Sequence, residues 1–483
     1  MKKKIIIICS IFVMQFHSGC EDWLNIMPPD GLVFDEFWET KENVQSVIMG
    51  AYNQLTKMDE KLFIYGEIRG DMVARTNNTP TPLQLIISGN LFPENTYSDW
   101  SDFYKVINYC NNVIKYAPEV LKKDITFTEI QMQSFISEAT VIRALMYFYL
   151  VRIFKDVPFV LEPSDNDNVN FFLPKTDGNV ILLAIKEDLL QARLVSDYGN
   201  LLENKGRITP AAVNALLADI CLWNFEYEEA LIYLDRIINT GKYFLQPSVS
   251  WFEIFNPGNS LEGIFELQFD DALGQTNTLY SRTWVQNQYA SSDYTIEILA
   301  LLDAGENIRG RGSVSREQTG YKVWKYAGAL PDQITVRPSS SSGSANFIIY
   351  RYADILLMKA EALSQLERYG EALSIINEIR ARALMSPVVV GDTPDDFETA
   401  ILLERAKELA FEGKRWFDLL RMARRNDYAN RGKLIEILVQ NVPSTQKLVL
   451  ATKLNNPDGW YFPISSSELE RNKELVQNPY YAN

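Results

Sequence analysis

The chain has 483 residues, 47% of them apolar, and a formal net charge of −15. The apolar share is ample for a large core, and the acidic balance repels phosphate backbones and excludes nucleic acid as a partner. Beyond the first twenty residues, no stretch reads as long and apolar enough for a transmembrane helix.

The chain opens on Lys2, Lys3 and Lys4, and residues 5–16 form an apolar run too short to remain as a membrane helix. His17, Ser18, Gly19 and Cys20 follow, then acidic Glu21 and Asp22. This order reads as a secretory leader over residues 1–19. Its closing cysteine resembles a bacterial lipobox, with Cys20 as the lipidated residue, although His17 stands where Leu or Val is usual. Several acyl chains anchor stably where one is marginal. Cleavage removes three lysines and no acids, which takes the charge to about −18. It also removes the chain's one histidine. That excludes Ser–His and Cys–His catalysis, histidine zinc sites and histidine general bases. Cys9 leaves with the leader. Cys110 and Cys221 sit among apolar helical residues and read as buried thiols; a disulfide between them stays open, but no spacing supports it and no CxxC pair exists.

Helical periodicity follows at 41–57, 102–117, 130–153, 179–195, 210–223, 227–240, 349–366, 369–384, 396–412 and 414–425. Thr209 before Pro210 supplies a hydroxyl cap and a first-turn proline whose missing N–H costs nothing. Thr393 and Pro394 repeat the device, with Asp396 favourable in the first turn. Gly413 reads as a helix stop, and Ser465 with Glu468 has capping-box spacing. Two helix pairs share offsets: Ala218, Tyr227 and Ala230 before Leu234, and Ala360, Tyr369 and Ala372 before Ile376. This resembles the tetratricopeptide pattern, in which small residues let antiparallel helices approach closely. Between these pairs the pattern changes. Residues 58–99 and 241–348 are rich in Asn, Gly, Ser, Thr, Pro and aromatics. Residues 263–269, with Ile264, Phe265, Leu267 and Phe269, read as a short strand, and 339–344 as a low-complexity loop. Long insertions of this kind are usually functional.

Taken in order, the chain's motifs resemble the SusD/RagB family over nearly its whole length. The resemblance starts with residues 20–24, Phe37, Trp38 and the 50–52 stretch ending in Tyr52. It continues through Trp100, Tyr104, Ile107 and Asn111; residues 143–152 and 156–158; and 206–209 with Ala211, Ala212, Ala215 and Leu216. The most specific stretches are 351–357 with 360–362, and Glu404, Arg405, Glu408, Leu409, residues 411–413, Arg415, Trp416 and 418–421. Gln477, Asn478, Pro479 and Tyr481 complete it. Tyr480 and Ser465 depart from the family's usual glycine and second proline. The resemblance implies a mainly α fold: a right-handed array of four tetratricopeptide-like helix pairs with long irregular loop insertions and minor β. It implies no cofactor and no catalysis. It also implies a surface lipoprotein that lids a TonB-dependent, SusC-like transporter and hands it a nutrient. The corresponding division is a leader at 1–19, a helical region at 20–240, a loop-rich insertion at 241–348 and a helical region at 349–483.

Two clusters invite chemistry. Glu404 and Glu408 share a helix face, and a carboxylate pair is what glycoside hydrolysis needs. Every acid there has an arginine or lysine close in sequence, which favours ionised packing pairs over a raised-pKa acid. Asp165, Asn166, Asp167 and Asn168 offer oxygen ligands, but no EF-hand register follows, so a solvated loop is expected. Trp251, Phe252 and Phe255 read as packing core. Ligand contacts are expected from the insertions, where aromatic rings can stack on sugar C–H faces and polar groups can meet hydroxyls. The candidates are Arg69, Asp71, Arg75, Asn77 and Asn78 in one segment, and Tyr280, Trp284 and Tyr289 in another. The expected ligand is an oligosaccharide; an oligopeptide and a lipoprotein glycosidase are the alternatives.

Overall fold

A computed structural model describes residues 37–165, 170–192, 205–299, 306–317 and 320–482. The leader, Cys20 and residues 166–168 of the acidic loop lie outside them. Twelve helices of nine or more residues dominate the described chain. These are α1 (Lys41–Thr56), α2 (Ser101–Lys123), α3 (Glu129–Phe154), α4 (Gly178–Gln191), α5 (Pro210–Trp223) and α6 (Tyr227–Ile238). After the insertion come α7 (Tyr352–Gln365), α8 (Tyr369–Arg382), α9 (Pro394–Glu408), α10 (Arg415–Tyr428), α11 (Arg431–Val439) and α12 (Ser444–Leu454).

Local chemistry fixes many of the helix starts. Thr40 and Asn43 close a reciprocal capping box on α1, and Thr128 with Gln131 does so on α3. Thr209 accepts the Ala212 N–H, with Pro210 behind it, and Thr393 and Asp396 form a full box on α9. Gly413 stops the following turn with φ of +71°, a backbone state that costs glycine little. Ser465 accepts the Glu468 N–H at a short helix, Ser466–Arg471.

Four pairs, α1–α2, α3–α4, α5–α6 and α7–α8, pack side by side, and α2–α3, α5–α4 and α6–α7 contacts link them into one array. Ala218, Ala230 and Leu234 are fully buried in one pair and Ala360, Ala372 and Ile376 in another. The Tyr369 ring stacks on Phe397 with centroids 4.6 Å apart. One continuous apolar core runs through the array. Cys110 and Cys221 are buried free thiols within it.

Three expectations need correction. Helix α2 passes through Pro118 to Lys123, because buried Ala117 and Val120 hold it on both sides of the one missing hydrogen bond. Residues 347–351 form a strand and α7 starts only at Tyr352; a fully buried apolar run has no period to separate helix from strand. Helix α3 does have the length and apolarity to cross a membrane, but it is a core helix, with 83% of its most apolar window buried.

Strands are short and occur in antiparallel pairs: β1 (Val73–Arg75) with β3 (Tyr289–Ser291), β2 (Gly263–Leu267) with β6 (Phe347–Arg351), and β4 (Val314–Glu317) with β5 (Gly320–Val323). β2 and β6 are fully buried and join the insertion to the head of α7.

A buried ionic network ties these parts together. The Glu408 carboxylate meets Arg351 at 2.8 Å, Arg309 at 3.4 Å, and Arg382. Glu412 meets Arg351 at 2.8 Å and Lys325 at 2.8 Å. Glu404 meets Arg309 at 2.6 Å and Arg380 at 3.2 Å. Burial pushes the Glu408 carboxyl up, but Arg382, Arg351 and Arg309 outweigh it and hold it well below the usual carboxylate range. Burial likewise raises Asp354, and Lys414 and Arg405 overrule it, holding the group at about 2.

Two outcomes follow from this packing. Ala360→Leu overfills the α7–α8 contact and should lower unfolding free energy by about 1–3 kcal/mol in a denaturant titration; an unchanged midpoint would refute close packing there. For Asp354 the folded pKa is depressed, so its stabilisation is present above the unfolded value of about 3.9 and lost as pH falls toward 2. Asp354→Asn should therefore give a shallower acid loss of stability across that window, and an equally steep loss would assign the acid sensitivity elsewhere.

Candidate functional site

The two candidate segments, some 200 residues apart in the chain, form one ribbon. Val73 pairs with Ser291, Ala74 with Ala290 and Arg75 with Tyr289. Beyond the strands, the Thr76 hydroxyl donates to Asn287 O at 2.5 Å and the Thr79 hydroxyl to Gln288 O at 2.6 Å. Asn78 Nδ2 donates to Gln286 O at 3.0 Å. Threonine and asparagine thus lock one loop onto the carbonyls of the other.

The ribbon is rooted in the helical frame. A π-helical turn, Ile64–Ile68, precedes it. A Cβ on Gly66 would lie 1.8 Å from Gly413 O, so only glycine permits this approach. Glu67 accepts the N–H groups of Phe411 and Gly413, each at 3.1 Å, and burial pushes its carboxyl up to about 8. Asp71 binds Arg415 through both oxygens at 2.6 Å. Backbone O of Asp71 and Met72 accept the hydroxyls of Ser292 and Thr295 at 2.5 and 2.8 Å.

The second segment has its own supports. Tyr280–Val285 is a π-helical turn. Arg282 and the Tyr289 phenol both reach Glu60, at 3.0 and 3.1 Å, and the Thr278 N–H donates to Asp59 at 2.6 Å. The Trp284 ring lies edge-on to Trp324, 5.2 Å between centroids. Lys322 Nζ sits 5.0 Å over the Trp284 ring and donates to Trp284 O at 3.0 Å. Behind them Trp251, Phe252 and Phe255 pack with Trp324 in a separate apolar cluster, as a core reading expects.

The candidates divide by exposure. Arg75, Asn77 and Asn78 are exposed, and Tyr280 and Trp284 are half-buried. Asp71 and Tyr289 are buried, and their polar atoms are committed to Arg415 and Glu60, so they brace the ribbon from within. Arg69 is also buried. It lies 4.1 Å from the Trp416 ring centroid and donates to Gly459 O at 3.3 Å and to Trp460 O. It does not share the exposed face with Trp284; it lines a cavity of about 220 Å³ on whose wall Val73, Ala74 and Arg75 also lie. Lys322 carries no sequence signal of the ring it covers, because a half-buried lysine in a short strand reads like any other.

No acid pair of the C-terminal cluster is open to solvent: Glu404, Glu408, Glu412 and Asp418 are all buried. Cys221, Glu226 and Glu229 converge, but Lys186 occupies the gap, 2.6 Å from each glutamate. Asp165 of the acidic loop accepts from Lys115 at 2.7 Å and from Tyr116. A larger cavity, about 570 Å³, opens on the helical side beside Trp100, Tyr104 and Phe172. Several of its polar groups serve the fold: Tyr104 donates to Pro158 O, Asn111 to Val160 O and Asn472 to Leu173 O.

The architecture defines a helical-repeat protein that displays a separately built loop face. The chain belongs to the SusD family. Residues 309–481 match the model described as SusD family, and residues 22–222 match one described as starch-binding associating with outer membrane. SusD-like protein P38 of Formosa agariphila is 26% identical over 84% of this chain and 88% of its own length. A SusD superfamily structure from Bacteroides vulgatus superposes with a TM-score of 0.77 at 22% identity, covering 92% of this chain and all of the other. Surface glycan-binding protein A from Bacteroides thetaiotaomicron gives 0.73 at 23% identity, covering 92% and 100%.

Proposed function

We propose that this chain is a lipid-anchored outer-membrane protein, tethered through Cys20, that captures an oligosaccharide and passes it to a TonB-dependent transporter of the SusC type. It makes and breaks no covalent bond in what it holds. The glycan-binding neighbour and the outer-membrane description of the matched family support this reading. One feature of the chain carries it furthest: Trp284, a half-exposed indole held from behind by Trp324 and Lys322. A ring fixed in this way offers its open face to a sugar at little conformational cost. Exposed Asn77 and Asn78 stand across the ribbon as hydroxyl partners. Their loop is locked by Thr76 and Thr79, so the polar groups are placed before ligand arrives.

Titration of defined oligosaccharides and oligopeptides into the purified chain tests this. A bound glycan should lose about 1–3 kcal/mol on Trp284→Ala, by analogy with base–aromatic stacking and burial of a large apolar side chain. Binding of peptides alone would move the reading to an oligopeptide carrier. Turnover of a bound glycan would overturn it.

A further inference from the structure

The cavity behind β1 has an unusual electrostatic setting. Two arginines line it, Arg69 and Arg75, and no acidic side chain does, in a chain whose net charge is −15. Arg69 is buried. Apart from Arg69 and Arg337, each buried arginine among the described residues forms an ion pair with a carboxylate. Arg69 has only backbone carbonyls and the Trp416 and Phe462 rings. Asp71, two residues on, cannot serve it, because Arg415 takes both of its oxygens.

A buried guanidinium without a counter-charge is costly, because desolvation outweighs what neutral dipoles return. Burial pushes the Arg69 group down to about 10. The cavity of about 220 Å³ has room for more than one water molecule. Arginine forks match carboxylates and sulfates in bidentate geometry, and Arg75 stands exposed at the same wall.

We infer that this cavity is an anion subsite: Arg69 and Arg75 together hold a carboxylate or sulfate group of the ligand, so the glycans captured are acidic. This deepens the oligosaccharide reading and rests on it for the identity of the ligand, but not for the anion site itself. β1 is the shared element. Its three residues all line the cavity, and through β3 it joins the turn that carries Trp284. A charged substituent could therefore be held in the cavity while a neighbouring ring stacks on Trp284.

The test has two arms on the purified full chain. In the first, sodium sulfate is titrated at constant ionic strength with sodium chloride and followed by calorimetry. Saturable sulfate binding that weakens tenfold or more in Arg75→Gln establishes the subsite; no saturable binding, or equal binding in Arg75→Gln, overturns it. In the second, tetragalacturonate is compared with its fully methyl-esterified form, and a sulfated oligosaccharide with its desulfated form. Retention of at least one charged member and tenfold weaker binding of its neutral partner supports acidic-glycan specificity. Equal binding of each pair overturns that specificity and leaves the oligosaccharide reading standing. If no glycan binds while sulfate does, the oligosaccharide reading fails and the anion subsite survives.

Discussion

A buried carboxylate fixes the loop-rich segment on the C-terminal helices. Glu408, at the end of α9, meets Arg351 from β6, Arg382 from α8 and Arg309 from the insertion. None of the four side chains reaches solvent appreciably. Isolated, each would be prohibitive to bury; together they are tolerable only in one arrangement. Removing one partner of such a pair typically costs about 3–5 kcal/mol, because the other charges stay behind. The network therefore specifies where the insertion sits on the helical frame more than it adds net stability.

The ribbon inherits that fixity. Gly66 lets the 64–68 turn press against Gly413, and Glu67 takes the N–H groups that the turn after α9 leaves open. From there Arg415 clamps Asp71, and the Asp71 and Met72 carbonyls receive Ser292 and Thr295. The loops that bear Asn77, Asn78 and Trp284 are thus attached to a core that cannot shift locally without breaking buried ion pairs. Little ordering entropy remains to be lost on binding. A stiff frame also suits rigid-body motion against a larger partner, since such motion leaves the face itself unchanged.

How much of this the sequence reveals depends on the distance between partners. The helices with Thr–Pro starts are legible because cap and first turn lie within three residues. The paired alanines are legible because their offsets repeat. The strand at 347–351 is not, since an unbroken buried run has no period. Asp71 and Tyr289 looked like surface contacts because the groups that consume them, Arg415 and Glu60, lie 344 and 229 positions away. The joining of the two candidate segments through β1 and β3 is equally invisible, for a three-residue strand carries almost no pattern of its own. What composition did reveal was that both segments are polar, the second also aromatic, within stretches that lack long helical stripes.

The central claim is that one preformed face on the ribbon takes the ligand and the helical array only supports it. Hydrogen exchange followed by mass spectrometry, with and without an oligosaccharide that the protein retains, tests this most directly. Amides of residues 73–78 and 280–291 should exchange more slowly in the complex while those of α1–α6 stay unchanged. Slowing confined to the helical array, with the ribbon unaffected, would contradict the account.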